Sequence, residues 1–488
     1  MATIKSTDTT YMTATQQAAA LADGRLSAVE LLDRAIARIE ALDGTYNAVV
    51  VRDFDRAREA AKAADQALAK GERKPLLGVP MTVKESYNVA GLPTSWGFPD
   101  FKNNIAKNDA VTVQRLKQAG AVIMGKTNVP VALSDWQSYN DIYGQTNNPW
   151  NPAMSPGGSS GGSSASVAAG YSALELGSDI GGSVRVPAHF CGVFGHKPTH
   201  GIIPSRGQGL VETDREPDVA VCGPFGRSAE DLAIALDVLA GPDRDDAVGY
   251  KLDLPKPRHN RLKDFRVLLL DEHPLVPTDA TVRDALSRLV GKLAKEGVNV
   301  TRAGNRIPDL ALSARTYLPL MLSEMTARLP DAAFKDLQRR VATLAPGDNS
   351  LAAIWLRAPV MAHRDWVVTD HTRATLRAQW RELFREWDVV LAPPFSTPAF
   401  PHDHIPDQAD RRATIDGGKV PYTDQILWPG FASMPMLPST AAPLERTAAG
   451  LPVGVQIVGP YLEDRTTIEF ARLIEQAFGG FVPPPALA

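Results

Sequence analysis

The sequence predicts an α/β protein whose central sheet is covered by helices. Three observations carry this reading. Short β-branched and apolar runs alternate with amphipathic stretches along most of the 488 residues. Several runs, such as Asp388 to Ala392 and Val453 to Val458, are apolar almost throughout, the pattern of strands buried on both faces. No repeat and no disordered linker breaks the alternation, and residues 242–258 and 393–407, rich in Pro and Gly, read as surface loops.

The elements follow in order. Ser27-Ala-Val-Glu30 fits a capping box, and Leu31, Leu32, Ala35, Ile36 and Ile39 recur at helical spacing until Gly44. A second helix is predicted over Phe54 to Ala69. Leu77 to Lys84 and Ala121 to Met124 read as strands around a helix at Val111 to Ala119. Asn128 to Gly162 is irregular, Ser163 to Gly170 is helical, and Ala173 to Leu176 is a strand entering a Gly-rich turn. Ser228 caps a helix to Ala240. Phe265 to Leu270 and Val298 to Thr301 are strands around a helix at Thr281 to Lys295, and 308–386 is mostly helical with breaks. The chain divides into an N-terminal helical segment (1–70), a core (77–240) and a remainder carrying more sheet and helices (260–488).

Composition narrows the function. The chain is 44% hydrophobic and 22% charged, with a net charge of −3. Nothing in that balance draws it to nucleic acid or an anionic membrane. No run approaches the ~18 apolar residues of a membrane span. Met1 to Met12 is polar and lacks an apolar signal core, so the expected location is the cytoplasm. Cys191 and Cys222 make no disulfide framework and read as buried or free thiols.

Three motifs invite other readings. Gly120 to Thr127 matches G-x-x-x-x-G-K-[ST], but its four intervening residues are apolar and form the predicted strand themselves. Gly157-Gly-Ser159-Ser-Gly161 matches G-x-S-x-G, yet it follows a loop, whereas a nucleophile elbow follows a strand. His402-Asp-His404 lacks a third ligand at metal spacing, so neither metal nor other cofactor is expected.

One ordered set of motifs is far more specific. It comprises Gly157-Gly-Ser-Ser-Gly-Gly162, Gly177-Ser-Asp-Ile-Gly-Gly-Ser-Val-Arg-Val-Pro187 and Cys191-Gly-Val-Phe-Gly-His-Lys-Pro-Thr199. Supporting stretches are Gly78 to Lys84, Gly125 to Asn128, Gly223 to Ser228 and Leu451 to Gly459. This set resembles the amidase signature family over nearly the whole chain. The resemblance implies a single large domain with a mixed central sheet. It also implies a Ser-cisSer-Lys triad: Ser183 as nucleophile, Ser159 as bridging serine with a cis peptide bond, and Lys84 as base. Ser160 is the nearest rival for the bridge. The backbone of Ile180, Gly181, Gly182 and Ser183 resembles the family's oxyanion hole. A homodimer is a further implication at family level.

The residues support that chemistry independently. A serine hydroxyl attacks a carbonyl only when a base takes its proton, and no His sits in a partnering motif. Lysine serves only when neutral, and burial at the end of an apolar strand moves its pKa that way. Glycines let backbone N–H groups converge on one point. Asp179 and Arg185 flank the nucleophile as a charge pair that holds the loop. His196 reads as structural.

The expected activity is cleavage of a small apolar or aryl amide through an acyl-enzyme on Ser183. Candidate pocket residues are Trp136, Tyr139, Trp428 and Met434, with Trp96, Phe98, Ile142 and Leu427 as further candidates. Three alternatives stay open: a glutamine-hydrolysing subunit of a tRNA amidotransferase, an esterase or carbamate hydrolase on the same triad, and a non-catalytic binding protein.

Overall fold

The structure, a computed structural model, describes residues 8–211 and 215–488. The first seven residues of the polar N-terminal segment therefore lie outside the described residues. Eleven strands form one mixed sheet. They are β1 (Val49–Arg52), β2 (Pro80–Lys84), β3 (Val122–Thr127), β4 (Leu174–Asp179), β5 (Phe194–Lys197) and β6 (Val221–Gly226). The remainder are β7 (Arg266–Leu269), β8 (Asn299–Arg302), β9 (Val389–Ala392), β10 (Ser439–Arg446) and β11 (Pro452–Val458). Their order is β1-β3-β2-β4-β6-β5-β10-β11-β9-β7-β8.

Strand β2 runs parallel to both neighbours, with Lys84 beside Thr127 of β3 and Thr82 beside Glu175 of β4. The middle of the sheet, from β4 to β9, is antiparallel. At the far edge β9, β7 and β8 are parallel again. Side chains alternate between faces along a strand. Val389 and Leu391 accordingly enter one core and Val390 and Ala392 the other. The first core packs helices Ala28–Tyr46, Phe54–Ala69, Ala280–Lys295 and Asp464–Phe478 on the sheet. The second packs helices Leu310–Thr326, His363–Glu386 and Leu427–Ser433. No helix among the described residues is long and apolar enough to cross a membrane.

Several boundaries differ from those the sequence predicts. The first long helix runs through Gly44 to Tyr46 and ends at Asn47, which is left-handed at φ 49°. Asp43 takes the next two N–H groups, of Ala48 and Val49, so the stop is set there and not by the glycine. The N-terminal segment also supplies β1, which pairs with β3. The β2 strand starts at Pro80, later than Leu77, after Gly78 at φ +85°. Strands β5, β6 and β10 and helix Arg185–Cys191 have no counterpart among the predicted elements. Their Gly and Pro residues hide them: in β6 a Cβ on Gly223 would lie 2.2 Å from the His196 carbonyl oxygen. Glycine here serves close strand approach, not a turn.

Candidate active site

Parallel pairing of β2 with β4 brings Lys84 to the start of the Gly-rich turn that follows Asp179. Lys84 is fully buried. Its Nζ donates to Ser159 Oγ at 2.7 Å and to Ser178 Oγ at 2.9 Å. Burial pulls its pKa from 10.5 down to about 7, against the opposing pull of Asp179, Cys222 and Glu175. A large share of the amine is then neutral at pH 7 and able to accept a proton.

Ser159 follows a cis peptide bond from Gly158. Gly158 leaves no room for a side chain, since a Cβ would sit 2.3 Å from the Asp135 carbonyl oxygen and 2.7 Å from Gln137 N. Segment 135–137 is itself clamped: Arg411 Nη1 pairs with Asp135 at 2.5 Å, and the Tyr422 hydroxyl donates to Asp135 at 2.7 Å. Ser160 faces elsewhere. Its hydroxyl donates to the Ser178 carbonyl and accepts from the Ser178 N–H, so it stitches the turn to β4 while Ser159 meets the lysine.

Ser183 lies in the turn between β4 and helix Arg185–Cys191. Asp179 organises this turn. Its carboxylate accepts the N–H of Gly182 at 2.9 Å and of Val184 at 3.1 Å, and pairs with Arg185 at 2.8 Å. Burial alone would raise the Asp179 pKa, but the Arg185 guanidinium outweighs it and holds the carboxyl at about 2. Arg185 also donates to the Pro429 carbonyl, Gln456 Oε1 and Ser433 Oγ. Two carbonyls of the turn are turned outward by donors: Ile180 O accepts from the Tyr317 hydroxyl at 2.7 Å and Gly181 O from Trp136 Nε1 at 2.9 Å. The expected oxyanion set shrinks by one, because the Gly182 N–H is already spent on Asp179. Among the described residues, the N–H groups of Ile180, Gly181 and Ser183 have no protein acceptor. Gly182 sits at φ +97° with Pro429 2.8 Å from where a Cβ would stand, so glycine is required for shape.

The family model described as Amidase matches residues 30–468. The chain belongs to the amidase signature family. It is 31% identical over 503 residues to fatty-acid amide hydrolase 2-A of Danio rerio, spanning 97% of this chain and 90% of the relative. It is also 31% identical over 502 residues to a glutamyl-tRNA(Gln) amidotransferase subunit of Psychrobacter cryohalolentis, spanning 96% of each. Among solved structures, 6-aminohexanoate cyclic dimer hydrolase with its substrate superposes with a TM-score of 0.79 at 26% identity, over 98% of this chain and 100% of that one. The protein is an amidase by family.

In this amidase the aromatic candidates separate. Trp136 touches the turn that holds Ser183, donating to the Gly181 carbonyl. Tyr139 instead accepts from Arg411 at 2.8 Å and stacks on His404 at 3.8 Å. Trp428 is buried with Nε1 on Thr278 Oγ1, its ring packed near His273 and Phe431, and Met434 is buried in the same core. The side chains that approach Gly181 and Gly182 are Ile426, Tyr317, Pro429 and Val186, and of these only Val186 lies in a motif that the sequence singles out. Ser178, the second acceptor of Lys84, also escapes a reading by motif, although it stands inside the Gly177-Ser-Asp run. The other motifs are absorbed into structure. Lys126 of the G-K-T run is buried in β3 and donates to Thr94 Oγ1 at 3.0 Å. His196 bonds Thr440 and Asp464. Both cysteines are free and buried. No group of three His, Cys, Asp or Glu among the described residues is placed to hold a metal.

Proposed function

We propose that this amidase cleaves a carboxylic amide C–N bond through an acyl-enzyme on Ser183. The observation that carries the reading is the buried Lys84 amine on the Ser159 hydroxyl, beside the turn that presents Ser183. Neutral Lys84 takes the Ser159 proton while Ser159 takes that of Ser183. Ser183 Oγ attacks the carbonyl carbon, and the carbonyl π pair moves onto oxygen. The N–H groups of Ile180, Gly181 and Ser183 supply donors for that oxyanion, each worth about 3–4 kcal/mol in the transition state. Collapse re-forms the carbonyl and breaks C–N, and the proton returns through Ser159 to the leaving nitrogen. Water then attacks the ester by the same relay, releasing the acid and regenerating Ser183.

The substrates we propose are small amides with an apolar or aryl group. Ile426, Pro429, Tyr317 and the Trp136 indole make the surroundings of the turn apolar, which supports such a substrate. Glutamine hydrolysis within an amidotransferase is the second reading, favoured by the full-length likeness to an amidotransferase subunit. Esters and carbamates would use the same acyl-enzyme. The test is a turnover screen over aryl amides, aliphatic amides, glutamine, esters and carbamates, with fluorophosphonate labelling as a second readout. Ser183→Ala is expected to lose labelling and to lower kcat by at least about 10⁴-fold. A folded Ser183→Ala protein with near-wild-type turnover would refute the assignment.

A further inference from the structure

Gln208 stands on the connection between β5 and β6, and the proposed relay makes no use of it. The backbone around it is fixed. Gly207, at φ +84°, packs so closely on Ala110 that a Cβ would lie 2.6 Å from its Cα. The Gly207 carbonyl accepts from Asn88 N at 2.9 Å and the Arg206 carbonyl from Val111 N at 3.0 Å. The Arg206 guanidinium pairs with Asp243 at 2.6 Å. From this anchored position half-buried Gln208 sends Nε2 into the base site, 3.2 Å from Ser86 Oγ and 3.2 Å from Ser178 Oγ. Ser178 Oγ is also the second acceptor of Lys84 Nζ, at 2.9 Å. Gln208 is thus the outer link of a chain that continues through Ser178 and Lys84 to Ser159.

We propose that Gln208 is a positioning residue for the general base: its carboxamide keeps Ser178 an acceptor toward Lys84 and closes the base site to water. This rests on the reading of Lys84 as the base. A neutral amine has one lone pair; Nζ donates to Ser159 at rest, and the pair must turn to Ser159 to take its proton. A serine hydroxyl free to rotate could donate to the same lone pair and block it. Serine oxygen has two lone pairs. With Gln208 Nε2–H on one and a Lys84 N–H on the other, the Ser178 hydrogen is turned away from the lysine.

Asp179, Cys222 and Glu175 act on the Lys84 charge. Cys222 and Tyr87 stay neutral, since burial pushes Cys222 up to about 12 and Tyr87 well above its usual value. Asp179 is held ionised by Arg185. Glu85 accepts from Ser95 and Trp96, and Lys126 from the neighbouring strand points to Thr94. Glu175, pushed up to about 7 by burial, titrates in the same range as the lysine, so Glu175→Gln serves as the control.

The experiment follows the rate of Ser183 labelling by a fluorophosphonate from pH 5 to pH 10. It uses wild type, Gln208→Glu, Gln208→Leu and the control Glu175→Gln, with folding checked by circular dichroism. Gln208→Glu places a carboxylate that accepts from Ser178 and favours the ammonium, so the acid limb should move up by about one pH unit or more. Gln208→Leu fills the space without a donor and should lower the plateau rate about five- to tenfold. The proposal is overturned if the Gln208→Glu limb stays within about 0.3 pH unit of wild type, or if Gln208→Leu keeps the wild-type plateau. Labelling that survives Lys84→Met, or a wild-type rate independent of pH, would instead strike at the base assignment itself.

Discussion

Replacing Lys84 by Met should make the protein more stable while abolishing its activity. Folded, Lys84 has a pKa of about 7; unfolded, it returns to 10.5. At pH 7 that difference raises the neutral fraction from about 1 in 3,000 to about one half. It also means that the folded state sheds a proton the unfolded state keeps. Wild-type stability therefore carries its full penalty below pH 7 and recovers it as pH rises from about 7 to 10.5. At pH 8 the penalty is about 3 kcal/mol. Methionine fills a similar volume without charge and loses two hydrogen bonds, to Ser159 and Ser178, worth about 1 kcal/mol each. The expected net gain for Lys84→Met at pH 8 is about 1–2 kcal/mol. The assay is urea unfolding of both proteins at pH 6, 8 and 10. Lys126 and Lys197, which burial also pulls down, to about 8 and about 7, are common to both and cancel in the difference. The advantage of the variant should shrink by about 1.4 kcal/mol per pH unit across the window, vanish near pH 9 and be reversed, by about 1 kcal/mol, at pH 10. A variant less stable than wild type at pH 6, or a difference that does not change with pH, would refute a desolvated, proton-shedding lysine.

Three further outcomes are expected. Ser178→Ala removes one of the two acceptors of Lys84, so kcat should fall about 10- to 100-fold with KM little changed, as read by steady-state kinetics. Asp179→Asn leaves the Arg185 guanidinium buried without its counter-charge, and chemical denaturation should show a loss of about 3–5 kcal/mol. Trp136→Phe keeps a ring but drops the donor to the Gly181 carbonyl; kcat should fall about tenfold with stability changed by about 1 kcal/mol, and an unchanged kcat would remove Trp136 from the positioning of the turn.

The sequence is most legible where local chemistry decides the structure. Apolar runs mark β2, β3, β9 and β11, and Ser27 and Ser228 each cap a helix, at Glu30 and Asp231. It is least legible where the partner is distant. Strands β5 and β6 carry Gly and Pro because they approach each other closely, as Gly223 does His196, and composition alone reads such runs as turns. Ser178 reaches Lys84 only because β4 lies beside β2, a pairing that no local pattern announces. Apolar side chains are ambiguous for a simpler reason. Trp428 and Met434 fill a core, and hydrophobicity is the same whether a residue lines a cavity or closes one. Tyr317 and Ile426 escape notice because their relation to Gly181 is one of shape.

Arg185 ties the turn that holds Ser183 to residues made much later. Its guanidinium donates to Pro429, Ser433 and Gln456, more than two hundred positions further along the chain. On a ribosome, Lys84, Ser159 and Ser183 emerge long before those acceptors exist. Until they arrive, a guanidinium meant for a dry interior has only Asp179 to satisfy it, and the turn lacks its anchor. The turn is therefore anchored only once Gln456 has been made, and a product truncated before Pro429 is expected to carry Lys84, Ser159 and Ser183 of the proposed relay yet to be inert toward amides.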